Sequence, residues 1–170
     1  MERHIRAARA QLVLQHPFLG ALLLKLDMRP DDRCRSIATD GVEIRYRSKF
    51  LAELSLIDIQ FHLMHQVLHC ALGHPWRRGH RLAAVWDTAC DYAVNQLLLD
   101  EGFKPVSGAL VDERYRGLSA EEIYPLLNLS ESRTSVDEHT WALPYRRSVG
   151  LPSPVTIPPM VRLGNVRSSR

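Results

Sequence analysis

Cysteine is scarce in this chain: Cys34, Cys70 and Cys90 are three in 170 residues, odd in number and without a CxxC pair. Neither a disulfide framework nor a thiolate zinc site is indicated, and the thiols are expected to be reduced. Long apolar runs are missing as well. Nothing approaches the roughly 20 residues that cross a bilayer, and no basic start, apolar run and small-residue cleavage site follow one another at the N-terminus. The expectation is a cytoplasmic protein with no membrane partner. Internal repeats are absent.

Acid is missing from residues 142–170, which hold five arginines and five of the ten prolines. Taking those five positive charges from the net +3 leaves about −2 for residues 1–141, so the body is not basic. The tail composition cannot bury a core and favours extended chain. Its arginines are scattered, with no aromatic residue between them for stacking, which makes nucleic acid an unlikely partner. Residues 1–141, in a chain that is 45% apolar and 24% charged, suit one globular domain, followed by a flexible tail rich in proline and arginine over 142–170.

The pattern within the body is α+β and mainly helical. Arg3 to about Leu26 has Ile5, Leu12, Leu19, Leu22, Leu23 and Leu26 on a helical period, interrupted near His16-Pro17 and ended by Pro30-Asp31-Asp32. From Cys34 to Tyr46 two short strands flank Asp40-Gly41, a dipeptide suited to a tight hairpin turn, with Val42, Ile44 and Tyr46 on the face to be buried. Ser55 with Asp58 opens a helix to about Leu72, stopped by Gly73-His74-Pro75. A basic loop, Trp76 to Arg81, leads to a helix from about Leu82 to Asp100 that Gly102 closes, and Ser119 with Glu122 caps a third from Ala120 to Asn128.

The chemistry is concentrated in the second of these segments. His65-Gln66-Val67-Leu68-His69 is the two-histidine helix signature of zinc metallopeptidases with one letter changed. At i and i+4 two imidazoles share a helical face and can share a metal, while the carboxylate usually found after the first histidine takes a proton from water. Gln66 keeps the shape of that glutamate and lacks its basicity. The helix is apolar almost all round, so both histidines need partners; core histidines bonded to backbone or carboxylate are the alternative to metal.

The following helix bears on that choice. Asp87, Asp91 and Asn95 recur every four residues, a polar stripe on an otherwise apolar helix. Buried acids need positive charge opposite them, which a zinc ion held by His65 and His69 provides. Asp91 is the candidate third ligand, with Asp87 and Asn95 orienting the imidazoles; a helix-dipole role for Asp87 and an arginine salt bridge for Asp91 are the alternatives. His62 reads as a packed or rim histidine and His80 as solvated. His74 lies past the helix stop, where spacing gives no direction, and His139, beside Asp137 and Trp141, is an outside candidate to polarise substrate.

From about His16 to Trp141 these residues resemble a bacterial family of metallopeptidase domains often joined to a C-terminal von Willebrand A-like domain. The marks are Ala38-Thr39-Asp40-Gly41, the run from His65 to Pro75, Trp86 through Asn95, and Leu118 through Tyr124. The resemblance implies a zincin-like α+β fold, His65 and His69 as zinc ligands, Asp91 at a matching position, and hydrolysis of peptide or protein substrates. It also implies a general base at position 66, where this chain has Gln66. Two readings follow: a zinc peptidase inactive as written, or a zinc-binding pseudoenzyme that recognises a peptide or protein without cutting it.

Overall fold

A computed structural model describes residues 2–127 and, for its backbone alone, the strand at 138–139. Helix α1 (Glu2–Gln15) stops where Pro17 begins α2 (Pro17–Leu23), so the interruption falls at His16 as the sequence implies. The chain then differs from that reading. Instead of simply ending the helix, Asp27–Pro30 forms strand β1, parallel to β3 (Glu43–Tyr46), with Met28 opposite Ile44. Asp27, Arg29 and Pro30 are exposed and Met28 is only half-buried, so no apolar alternation announces the strand.

The hairpin itself forms: β2 (Ile37–Thr39) pairs antiparallel with β3, Thr39 opposite Ile44. Asp40 Oδ1 accepts from the backbone N–H of Val42 and of Glu43, both at 3.0 Å, which builds the turn from the side chain. Ile44 and Tyr46 face the core, but Val42 is 53% exposed because it belongs to the turn and the strand starts one residue later. Strand β4 (Glu138–His139) lies parallel along the other side of β2, giving the order β1-β3-β2-β4. Both sides of the hairpin are therefore paired, and it offers no open edge to an extended peptide.

A short helix that the sequence reading omitted, α3 (Ser48–Glu53), leads into α4 (Leu56–Ala71). Ser55 caps α4 by accepting from Asp58 N–H at 3.2 Å. Every residue from Ile59 to His69 is buried, which is what a helix apolar on all sides requires. Residues His74–Arg77 make a helical turn, α5, so Trp76 and Arg77 are not in an open loop: Pro75 is set for the first turn and Gly73 supplies the left-handed step. Helix α6 (Ala83–Asp100) ends on bonds from Glu101 N–H to Leu97 and Phe103 N–H to Leu98, with Gly102 at φ +87°.

Helix α7 (Ala120–Ile123) starts on a complete capping box between Ser119 and Glu122 but stops well short of Asn128. Pro125 cannot donate to the helical ladder, and the chain tightens into a 3₁₀ turn over Tyr124–Leu126. Two apolar clusters result among the described residues. One gathers α1, α2, the hairpin and α4, with Val94 and Leu98 of α6; the other gathers the opposite side of α6 with Leu110, Tyr115, Ala120 and Ile123. The molecule is α+β and mostly helical, and none of its described helices is long and apolar enough to cross a membrane.

Candidate metal centre

Helices α4 and α6 pack against each other, and their contact is not hydrocarbon throughout. His65 and His69, one turn apart on α4, bring their Nε2 atoms to 2.8 Å of each other. Asp91 Oδ1 on α6 lies 3.5 Å from the first and 3.4 Å from the second. All three residues are at most 1% exposed. Among the described residues, this is the group whose ligand atoms converge closely enough to hold a metal ion.

The dimensions and the donor chemistry fit one ion. A point equidistant from three atoms so spaced lies about 1.9 Å from each, against roughly 2.0–2.2 Å for zinc to histidine nitrogen or carboxylate oxygen. Two imidazoles and a carboxylate also leave a dication with one unit of net charge, so a buried acid and a buried ion compensate each other.

Asn95 supports this arrangement from α6. Its Nδ2 donates to the Leu110 carbonyl at 3.0 Å, which turns its Oδ1 to His65 Nδ1 at 2.9 Å. His65 therefore donates from Nδ1 and keeps its Nε2 lone pair directed at the centre. Asp87 sits one turn before Asp91 in α6, half-buried, and is not among the converging ligands. Gln66 is completely buried on α4.

The other histidines sort cleanly. His62 is buried against the rings of Phe50 and Phe61, and His80 is exposed. The backbone of His139 pairs beside Thr39 in the sheet; its side chain, with the role suggested for it, and the tail over 142–170 lie outside the described residues. His74 is the residue that sequence reasoning left unplaced. It is 2% exposed, and its Nδ1 lies 3.1 Å from His69 Nδ1. A helical wheel cannot be extended past Gly73, whose φ of +69° redirects the chain, so the one available signal was the histidine held between a helix-ending glycine and a helix-starting proline.

The hairpin turn packs on this end of α4. Thr39 Oγ1 is 3.5 Å from Cys70 Sγ, and at Gly41, where φ is +90°, a Cβ would stand 2.6 Å from the Trp76 ring, so any other residue would strain the backbone and displace that ring. Burial pushes the Cys70 thiol up to about 11 and raises that of Cys90 further still. Neither sulfur is among the converging ligand atoms, which are two nitrogens and an oxygen.

Buried, convergent and built from two neighbouring helices, these residues define an α+β domain with a histidine-histidine-aspartate group able to hold a metal ion. Residues 1–149 match the family described as Putative metallopeptidase domain, and the chain belongs to that family. Neither a curated protein nor a solved structure matches the chain.

Proposed function

We propose that this domain binds one zinc ion through His65, His69 and Asp91 on a zincin-like scaffold. In this reading peptide-bond hydrolysis is the family chemistry, and the chain as written lacks it because Gln66 stands where the general base belongs. The observation that carries the proposal is the convergence of the two Nε2 atoms and Asp91 Oδ1 between α4 and α6. Two nitrogens and one oxygen suit zinc. When bound, zinc supplies Lewis acidity toward water and a substrate carbonyl.

The chain's own residues do the rest. His65 and His69 hold the ion from one helix, and Asp91 adds the negative charge from the other. Asn95 fixes which His65 nitrogen faces it, and Asp87, a turn from Asp91, is assigned a supporting role. Gln66 can hold a hydrogen bond in place but, being an amide, takes no proton at neutral pH. Peptides or proteins are the expected partners. Three cysteines with no CxxC pair accord with a cytoplasmic location, where thiols stay reduced.

The complete burial of Gln66 favours a second reading, a zinc-dependent module that recognises a peptide or protein without cutting it. An amide of nearly the same size as the missing carboxylate preserves the packing and removes the chemistry. Elemental analysis of the purified chain tests the common core of both readings. One equivalent of zinc per chain is expected; no metal, even after incubation with zinc, overturns them.

A further inference from the structure

His65 and His69 differ in what stands behind them. Behind His65 is an amide oxygen whose direction is locked, because Asn95 spends its Nδ2 on the Leu110 carbonyl. Behind His69 is another imidazole, with His74 Nδ1 at 3.1 Å from His69 Nδ1. The two rings meet edge to face, centroids 5.1 Å apart at 70°, and both are buried.

His74 is held in that position from three sides. Gly73 turns the chain at a positive φ, and Pro75 sets the first turn of α5. The Trp86 indole of α6 donates from Nε1 to the His74 carbonyl at 3.3 Å and packs edge-on against its ring at 5.9 Å. A side chain fixed this firmly, with its nitrogen aimed at a candidate ligand, is doing more than filling space.

We propose that His74 is a positioning residue for the metal centre: it accepts a hydrogen bond from His69 Nδ1–H and so presents the His69 Nε2 lone pair to the ion. The inference rests on the zinc reading given above. The bond requires His74 to carry its own proton on Nε2 and to keep Nδ1 open as acceptor. No net proton is gained or lost; the bond selects a tautomer. The bond orients the His69 ring and raises the basicity of its Nε2, so losing it falls directly on metal affinity.

Chelator competition on the full-length chain separates this role from packing. His74→Leu fills similar volume without an acceptor and is expected to weaken zinc binding by roughly 10- to 100-fold. His74→Asn restores an acceptor oxygen and is expected to recover most of that loss. If His74→Leu binds zinc as tightly as the parent, or if His74→Asn is as weak as His74→Leu, the positioning role is overturned while the zinc site stands. A parent chain that takes up no zinc overturns the site and the inference together. Should the variants not fold, nitrogen-15 imidazole spectra of the zinc-loaded parent decide: His74 protonated on Nε2 and His69 on Nδ1 are expected, and His74 protonated on Nδ1 overturns the proposal.

Discussion

Leu12, Ile44, Leu63 and Leu98, in the layer where α1, the hairpin, α4 and α6 meet, are buried in hydrocarbon and need nothing beyond one another. A few residues along the same helix α4, His65 and His69 are just as deeply buried but face Asp91, Asn95 and His74. Burial contributes to stability in the first region through area removed from water. In the second it is a cost that a dense set of polar partners offsets, and to which the proposed zinc would add a compensating charge. One helix thus joins a region that stabilises the fold to a region the fold has to support, and perturbations of the two should have different signatures.

The largest effect is expected at the polar seam and should leave the fold alone. Gln66→Glu restores a carboxylate at the position the resemblance gives to the base, and peptide hydrolysis should rise about 10²- to 10⁴-fold. Assays of both forms on the same peptides, with zinc content measured in parallel, check this; equal rates with zinc bound would show that position 66 is not the base.

Next comes the hydrocarbon layer. Leu12→Ala removes a fully buried side chain and should cost about 2–5 kcal/mol in urea unfolding, with zinc content unchanged. If zinc is lost as well, the two regions are coupled more tightly than their chemistry suggests.

Removing the metal is the converse experiment. At free zinc 100-fold above Kd the ion contributes about 2.7 kcal/mol, or roughly 5–10 °C in Tm for a chain of this size. Chelator should abolish that increment in the parent and have no effect on His69→Ala. Identical melting of the parent with and without chelator would mean that the seam is held by hydrogen bonds alone. The smallest change touches neither the hydrocarbon layer nor the converging ligands: Ser119→Ala breaks the capping box of α7 and should cost about 1 kcal/mol, with zinc binding and chelator response untouched.

How far the sequence could be read follows from the range of the forces involved. Helices α4 and α6 were legible because the Ser55 cap of α4 and the apolar runs and glycine stops of both are local, and the i, i+4 histidines and the Asp87-Asp91-Asn95 stripe are local too. The meeting of Asp91 with the histidines needed only the assumption that buried charge seeks a partner. Strand β1 was not legible, since Asp27-Met28-Arg29-Pro30 owes its conformation to pairing with β3, not to its own pattern. Strand β4 reaches β2 from far along the chain, and nothing near Glu138 points to Ala38. His74 escaped because Gly73 resets the direction of the chain, and only the packed tertiary structure returns it to His69.

Strand β1 forms the border of the sheet on the side away from β2. An exposed border with unpaired backbone groups is where a second chain can add a strand and begin aggregation. Here that border is four residues long and ends in Pro30, which has no N–H to offer a newcomer. Arg29 pairs across to Glu43 at 3.1 Å, so charge flanks the pairing positions as well. The segment that looked in the sequence like the mere end of a helix gives the sheet a border that discourages growth, and with it protects a small mixed fold from polymerising through its own strands.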